Sequence, residues 1–173
     1  MGQVSLQGLS APEKLNAAQD LTQFLCKEPE LDDWLKRRAL QNEESGASRT
    51  YVVCIGRRVV GYYALANGAA THLEAPGRVR RNMPSPIPVM VIGRLAVDRL
   101  FQGRGIGSAL LKDAVLRTAQ AAEIAGIRAI LVHAINESAK RFYEKRGFIE
   151  SPTNPMTLML TVQAAAHTLA EEF

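Results

Sequence analysis

The sequence contains one glycine-rich turn that is suited to holding an anion. It reads Gln102-Gly103-Arg104-Gly105-Ile106-Gly107, which we call the glycine turn, and it lies between an apolar run at 89–97 and a stretch with apolar residues at helical spacing. Backbone N–H groups in such a turn converge with a helix N-terminus, and glycine lets a pyrophosphate approach the main chain. The Lys-Ser/Thr pair of a Walker A loop is missing, and the glycine spacing does not fit the dinucleotide fingerprint. A turn that needs glycine only for its dihedral angles would show the same residues.

Positive charge is concentrated around the glycine turn. The 173-residue chain has a net charge of +4, yet residues 75–112 carry seven Arg or Lys residues and a single acidic residue, Asp98. Arg78, Arg80 and Arg81 fall in the segment 76–88, which contains four of the eight prolines and is predicted to be an exposed loop. A field of this kind attracts phosphates and nucleic acid, although a mildly basic surface also serves solubility alone.

The histidines and cysteines form weaker patterns. His72, His133 and His167 are far apart and have no cysteine or carboxylate at ligand spacing, so we expect no metal site. Cys26 and Cys54 lie in apolar surroundings, which favours buried thiols over nucleophiles.

Periodicity and turn signals predict the elements that must position these residues. In the first half we expect helices at 11–25 and 31–40, with Ser10 as N-cap of the first, then a hairpin with strands at 50–54 and 59–65, and a third strand near 70–74. In the second half we expect a buried strand at 89–97, a helix from the glycine turn to a C-cap at Gly126, a strand at 129–134, a helix at 137–146 that Gly147 ends, and a strand at 156–162. Strands that alternate with helices predict α/β architecture, here as one domain over residues 1–163 with a dispensable tail at 164–173.

Composition excludes several classes of protein. The chain is 47% hydrophobic and 22% charged, as in ordinary globular domains, and it is long enough to bury a core without disulfides or metal. No apolar stretch approaches the ~18 residues of a membrane span, and the N-terminal residues do not resemble a signal peptide. Two cysteines fit reduced thiols in a cytoplasm. We therefore expect a cytoplasmic protein with no membrane partner.

Two segments resemble the GNAT superfamily of N-acetyltransferases. The glycine turn is similar to that family's Gln/Arg-x-x-Gly-x-Gly/Ala signature, with matches at Gln102, Gly105 and Gly107. About thirty residues later, the run from Asn136 to Phe148 is similar to the family pattern of Asn followed by Ala-x-x-Phe-Tyr-x-x-x-Gly-Phe. The resemblance implies a GNAT fold, in which helices flank a mixed, mostly antiparallel central sheet, and it implies acetyl-CoA as co-substrate.

The resemblance also implies which residues contact the cofactor. The predicted cofactor-binding residues are Leu95, Ala96, Val97, Gln102, Gly103, Arg104, Gly105, Ile106, Gly107, Ser108 and Asn136. The strand at 95–97 would offer backbone groups to the pantetheine arm and the glycine turn would hold the pyrophosphate. Asn136 also suits the N-cap of the helix that follows it, and the two roles are compatible.

Tyr143 is the predicted catalytic residue. When an amine attacks a thioester, the departing CoA thiolate benefits from a proton, and a phenol with a pKa near ~10 is a suitable donor. A strong base is less necessary, because an α-amino group titrates near ~8 and an aminoacyl ester lowers that value. Without the surrounding pattern, Tyr143 would read as a residue that packs one helix face.

A longer resemblance, carried by residues 33–39, 45–53 and 92–98, points to the GNAT toxins of bacterial toxin–antitoxin systems. Those toxins acetylate the amino group of aminoacyl-tRNA and block translation, and a ribbon-helix-helix antitoxin neutralises them. The resemblance implies the same substrate and antitoxin for this chain, together with a homodimer. The predicted tRNA-binding residues are Arg78, Arg80, Arg81 and Arg94.

Two other functions remain open at this point. A GNAT enzyme could acetylate a small amine or a protein, although small cationic amines favour an acidic pocket and residues 75–112 are basic. A degenerate domain that only binds a partner is disfavoured, because it would be free to lose Tyr143.

Overall fold

The computed structural model describes residues 4–169. Its strands are β1 (Glu13–Lys14), β2 (Arg49–Ile55), β3 (Arg58–Ala70), β4 (Ile87–Val97), β5 (Ala129–His133), β6 (Ile149–Glu150) and β7 (Thr157–Thr161). Its α-helices are α1 (Pro29–Arg37), α2 (Ala39–Ser45), α3 (Gly77–Arg80), α4 (Ile106–Ala122), α5 (Glu137–Glu144) and α6 (Val162–Leu169), and Arg99–Phe101 form a 3₁₀ turn. Among these described helices, none is long and apolar enough to cross a membrane.

The strands form one sheet in the order β1-β2-β3-β4-β5-β7-β6. The pairs β1–β2, β2–β3, β5–β7 and β6–β7 are antiparallel, and β4–β5 is parallel. The parallel pairing joins Val89 to Ala129 at one end and Ile92 to Val132 at the other, whereas β4 itself continues to Val97. The predicted mixed, mostly antiparallel sheet is confirmed.

The chain forms two compact units. The first consists of the residues up to Leu65 together with Arg94–Asp113, and the second consists of Ala66–Gly93 together with the chain from Ala114 onward. Each unit contains a cluster of buried apolar side chains. In the first unit these are Leu15, Phe24, Cys26, Leu35, Ala39, Val52, Cys54, Val59, Tyr62 and Ala96. In the second unit they are Ala70, Ala75, Val79, Ile87, Val89, Ala129, Leu131 and Met159.

The predicted helix at 11–25 is wrong. Glu13 and Lys14 instead pair with β2, and the Ser10 hydroxyl accepts a hydrogen bond from the Cys54 N–H rather than capping a helix. The Asp20 carboxylate accepts from the N–H and the hydroxyl of Thr22, which is the local bonding that stabilises turns at the expense of helices. The helical spacing of apolar residues therefore reflects burial of side chains from an irregular segment.

The predicted helix at 31–40 is two helices. The backbone of Arg38 (φ −121°, ψ −31°) separates α1 from α2, and Gly46 ends α2 in the left-handed conformation. The Tyr62 phenol donates to the Leu31 carbonyl at 2.7 Å, which ties α1 to β3 within the first unit.

The predicted hairpin is confirmed, with Gly56 at φ +61° in the turn between β2 and β3. The separate third strand at 70–74 is wrong, because β3 runs without a break to Ala70 and turns follow it. Gly68 lies inside β3, where a Cβ atom would lie 2.7 Å from Val91 Cγ2. Glycine here permits close approach to a neighbouring side chain and does not end the strand.

The segment 76–88 is not simply a loop. It contains the single turn of helix α3 and the first residues of β4, and Val79 and Ile87 are buried in the core of the second unit. Prolines predict where regular structure is interrupted, but they do not show that the short helix between them is anchored by Val79.

The last third of the chain departs from expectation at three places. Helix α4 ends at Ala122, before Gly126, through turns in which the Ala121 carbonyl accepts from Ile124 and Ala125. The two-residue strand β6 was not predicted. The predicted tail begins inside α6, whose Ala165 is buried, and residues 170–173 lie outside the described part of the chain, so its dispensability stays a prediction.

Asp98 fixes the end of β4. Its side chain is 1% exposed, accepts hydrogen bonds from the N–H groups of Leu25 (3.2 Å) and Leu100 (2.9 Å), and lies 3.6 Å from the Arg58 guanidinium. Its own N–H donates to the Val60 carbonyl at 2.8 Å. One buried carboxylate therefore joins the N-terminal segment, the hairpin and the start of the 3₁₀ turn.

We predict that Asp98→Ala lowers the free energy of unfolding by about 3 kcal/mol, because it leaves two partly buried N–H groups and part of the Arg58 charge without a partner. Urea denaturation measures the loss. Glu150→Ala is the control, since it removes the ion pair between Lys140 and the half-exposed Glu150 (2.6 Å), and we expect it to cost under about 1 kcal/mol. Equal effects of the two variants would contradict the central role of Asp98.

Candidate active site

The glycine turn has the backbone geometry that anion binding needs. Gly103 (φ +76°) and Gly105 (φ +86°) adopt left-handed conformations that other residues rarely take, and a Cβ atom on either would meet nothing within 4 Å. Helix α4 begins at Ile106, so the positive end of its dipole lies at the glycine turn. This end of the dipole and the open space at Gly103 and Gly105 suit an anionic group such as a pyrophosphate.

The Gln102 side chain supports this turn from within the protein. Its amide nitrogen donates to the carbonyl of Cys26 at 3.0 Å and to that of Val97 at 2.9 Å. Because both bonds are internal, the side-chain N–H groups of Gln102 are used within the protein, and the contact that we predict with the cofactor would come from other atoms of this residue. Arg104 likewise has an internal partner, since its guanidinium donates to the Val4 carbonyl.

The rest of the predicted pantetheine strand also lies in the first unit. Ala96 is buried in the core of that unit, while Leu95 and Val97 are half-buried. Of residues 95–97, only Ala96 therefore packs in the core. The role of these three residues as cofactor contacts remains a prediction.

Tyr143 lies in the second unit on α5 and is 6% exposed. Its ring packs edge-on against Phe142 (centroids 5.2 Å apart) and Phe148 (5.4 Å). Burial raises the pKa of the Tyr143 phenol above its usual value, and the positive charge of Arg146 offsets only part of that effect. The phenol therefore keeps its proton at neutral pH, which a proton donor requires.

Asn136 caps α5. Its side-chain oxygen accepts from the Ala139 N–H at 2.9 Å, and its extended backbone (φ −158°, ψ 177°) ends where the helix begins. Asn136 and Tyr143 are thereby held on one short helix. The capping role is confirmed and the cofactor role remains a prediction.

The predicted tRNA-binding arginines have different surroundings. Arg78, Arg80 and Arg81 are exposed on and beside α3 in the second unit. Arg94 belongs to the first unit, where its guanidinium lies 4.4 Å from the centre of the Trp34 ring. An arginine stacked on an indole has less freedom to follow a phosphate than one on an exposed turn.

The thiols and histidines have other partners. Cys26 and Cys54 are buried free thiols, and burial raises the pKa of Cys26 to about 12 and that of Cys54 to about 11, so neither is a thiolate at neutral pH. His72 Nε2 donates to the Met83 carbonyl at 2.6 Å, and His133 Nδ1 lies 2.9 Å from the Thr157 hydroxyl. In residues 4–169, no three His, Cys, Asp or Glu side chains are grouped so that they could hold a metal ion.

Comparison with known proteins identifies the family. A model described as "Acetyltransferase (GNAT) domain" matches residues 46–150, which include the glycine turn and Tyr143. The chain belongs to the GNAT acetyltransferases. The similarity to a GNAT-type enzyme that the sequence implied is therefore confirmed, as is the α/β GNAT fold.

Several relatives of this GNAT acetyltransferase are toxins. A protein named tRNA-acetylating toxin, from Mycobacterium tuberculosis, is 54% identical over 160 residues, which make up 92% of this chain and 96% of that protein. A solved structure of AtaT complexed with acetyl-methionyl-tRNAfMet is 30% identical with a TM-score of 0.84, over 92% of this chain and 98% of that chain. A variant of AtaT bound to the C-terminus of the antitoxin AtaR and acetyl-CoA is 30% identical with a TM-score of 0.80, over 94% of this chain and 99% of that chain.

Sequence reasoning missed the role of Asp98 beside this acetyltransferase's glycine turn. The signal was present, because an aspartate directly before a short turn is a residue type that caps it. Its bond to the Leu25 N–H, 73 residues away, has no signal in the sequence.

We predict that Gly107→Glu abolishes acetyl-CoA binding, since a carboxylate in the first turn of α4 would occupy and repel the pyrophosphate. Isothermal titration calorimetry measures the affinity, and circular dichroism checks the fold. Gly126→Glu is the matched control, because Gly126 is exposed and a Cβ atom there meets nothing within 4 Å. Unchanged affinity in Gly107→Glu would remove the glycine turn from the site.

We predict that Tyr143→Phe lowers kcat by about 10²-fold or more, the usual scale for a general acid, without changing acetyl-CoA affinity. Because the pKa of Tyr143 is raised, its protonated form persists as pH increases, so the wild-type rate should not fall between pH 7 and about pH 8.5. Initial rates of acetyl transfer over this range test both statements. A Phe variant that keeps nearly the wild-type rate would show that the phenol only packs α5.

Proposed function

We propose that this acetyltransferase is a toxin that transfers the acetyl group of acetyl-CoA to the α-amino group of aminoacyl-tRNA and thereby inhibits translation. The observation that carries the proposal is 54% identity, over nearly the whole chain, to a tRNA-acetylating toxin. The aligned length of 160 residues covers 92% of this chain, so the similarity extends well beyond one motif.

The exposed arginines support the choice of substrate. Arg78, Arg80 and Arg81 lie within four consecutive positions on the surface of the second unit, and no acidic residue falls between Ala75 and Arg94. Phosphate contacts from such a turn would position a tRNA without reading its sequence. A small cationic amine would be repelled by the same charges, which makes the alternative of a small-molecule acetyltransferase the weaker one.

We propose a separate role in the reaction for each group of predicted residues. Acetyl-CoA supplies the activated acetyl group, held by the backbone of the glycine turn and of residues 95–97. The neutral amine forms a bond to the acetyl carbon while the carbon–sulfur bond breaks. The phenol of Tyr143 gives its proton to the departing sulfur, and the amine releases its own proton to solvent. No thiol or metal is required for direct transfer, which agrees with the protonated state of Cys26 and Cys54.

We further propose a protein partner, an oligomeric state and a cellular location for this acetyltransferase. A ribbon-helix-helix antitoxin would neutralise it, a homodimer would be the active form, and both would act in the cytoplasm, where aminoacyl-tRNA is found. The AtaT structure with the C-terminus of AtaR supports an antitoxin as partner. Co-expression with the product of an adjacent ribbon-helix-helix gene, followed by light scattering, tests the partner and the oligomeric state together.

We predict that replacing Arg78, Arg80 and Arg81 together by Ala abolishes acetylation of charged tRNA and leaves acetyl-CoA affinity intact. Counterion release should make the wild-type affinity for tRNA fall steeply with salt, and the variant should lose about two to three units of the log–log slope. The measurements are radiolabelled acetyl transfer and filter binding at several salt concentrations.

The charge-preserving triple Lys variant is the control, since lysine also binds phosphate as a point charge and should retain much of the activity. An Ala variant with wild-type activity would contradict the role of these arginines. A wild-type enzyme that acetylates free amines or peptides but not charged tRNA would overturn the proposed function itself.

A further inference from the structure

Helix α3 is held at its C-terminal end by a single guanidinium group. Arg128 Nε donates to the Val79 carbonyl at 3.0 Å, and Arg128 Nη2 donates to the Arg78 carbonyl at 2.9 Å and lies 3.5 Å from the Arg81 carbonyl. All of these residues belong to the second unit. The three acceptors are the backbone groups of the turn that carries the exposed arginines.

The backbone of Arg128, directly before the first residue of β5, is itself fixed by hydrogen bonds. Its N–H donates to the Pro88 carbonyl in β4 at 2.8 Å, and its carbonyl accepts from the Val162 N–H at the start of α6 at 3.0 Å. The guanidinium therefore extends from a residue that the sheet holds on both sides. Its position is set by packed structure and not by the turn that it contacts.

Helix α3 needs such a support. It has four residues, and a helix this short is not stable by itself. The carbonyls at a helix C-terminus have no partner within the helix, and a cation there is favourable. Arg78, Arg80 and Arg81 add mutual repulsion, because three like charges lie within four positions.

The other side of the segment is held by His72. Its Nε2 donates to the Met83 carbonyl at 2.6 Å, and its own carbonyl lies 3.5 Å from Arg80 Nη1. Val79 contributes the remaining anchor, since its side chain is 2% exposed in the core of the second unit. Of these three anchors, only Arg128 contacts the carbonyls of both Arg78 and Arg81.

We propose that Arg128 is the positioning residue of the tRNA-binding surface: its guanidinium fork holds the backbone of α3 so that the exposed residues Arg78, Arg80 and Arg81 are presented to the phosphates of the tRNA. The inference rests on the proposed function, because it assigns Arg128 to the binding of charged tRNA. Lysine cannot replace Arg128 in this role, since an ammonium is a compact donor without the fixed fork that reaches three carbonyls.

Steady-state acetylation of bulk bacterial tRNA, charged with a mixture of amino acids, tests the proposal. Arg128→Lys keeps the charge and loses the fork, so we expect KM for charged tRNA to rise about tenfold or more while kcat and acetyl-CoA affinity stay within about twofold. Arg57→Lys is the matched control, because Arg57 Nε also donates to a backbone carbonyl, that of Ala18 at 2.7 Å, in the first unit. We expect wild-type KM from that variant.

A second comparison separates positioning from direct contact with phosphate. If Arg128 acts through α3, adding Arg128→Lys to the triple Ala variant causes no further loss of tRNA affinity, because both changes remove the same surface. Two results would overturn the proposal: a wild-type KM in Arg128→Lys, or losses that add in the quadruple variant. A salt slope in Arg128→Met that is shallower by one unit, with Arg128→Lys near wild type, would make Arg128 a phosphate contact instead.

Hydrogen exchange of the free enzyme tests the structural step without any tRNA. The Arg81 N–H donates to Gly77 and the Met83 N–H to Arg80, both at 3.1 Å, so these amides report the integrity of the turn. We expect faster exchange at both in Arg128→Lys and unchanged exchange in Arg57→Lys. Unchanged exchange in Arg128→Lys would overturn the inference even if the enzyme acetylates tRNA. If the wild-type enzyme does not acetylate charged tRNA, the proposed function is overturned. The exchange rates of the Arg81 and Met83 amides still test whether Arg128 stabilises α3.

Discussion

The buried carboxylate of Asp98 is the interaction that fixes the backbone around the predicted cofactor-binding residues of the first unit. It lies at the end of β4, caps the 3₁₀ turn and accepts from the N–H of Leu25, so it fixes the segment that leads into the glycine turn. Gln102 then uses the neighbouring carbonyl of Cys26 as a second attachment point. A turn that binds an anion through its backbone cannot adjust by rotating side chains. Its precision has to come from the bonds that fix the backbone, and these two side chains provide them.

How well the sequence predicted each element depends on how far apart in sequence its stabilising contacts lie. The hairpin at Gly56 and the cap at Asn136 depend on neighbours in sequence, and each was predicted correctly. The strand before the glycine turn pairs with the distant strand β5, but its apolar run made it recognisable as well. The helix at 11–25 was wrong, because the pairing of Glu13 and Lys14 with β2 is a contact with residues almost forty positions away. Helical spacing of apolar residues cannot distinguish a helix from an irregular segment whose side chains reach one core.

The candidate site residues also differ in whether local sequence could reveal them. The motifs that contain Tyr143 and the glycine turn are local, so the sequence alone could single them out, and the family match spans both. The supports of the site, Asp98 and Arg128, were not predicted, since an arginine before a strand carries no mark of the carbonyls that it will contact. Charge alone placed Arg94 among the tRNA-binding residues and gave no sign that its guanidinium lies over the ring of Trp34, so its role in tRNA binding stays a prediction.

Because Cys26 is buried, its reactivity can report local opening of the structure around it. The thiol is 5% exposed and protonated at neutral pH, so alkylating reagents cannot modify it while the surrounding segment stays closed. The N–H of the same residue bonds to Asp32 and its carbonyl bonds to Gln102. Any opening that exposes the sulfur must therefore disturb the attachment between α1 and the glycine turn. The rate at which Cys26 is alkylated, measured by mass spectrometry on the unmodified chain, therefore reports how often this attachment opens.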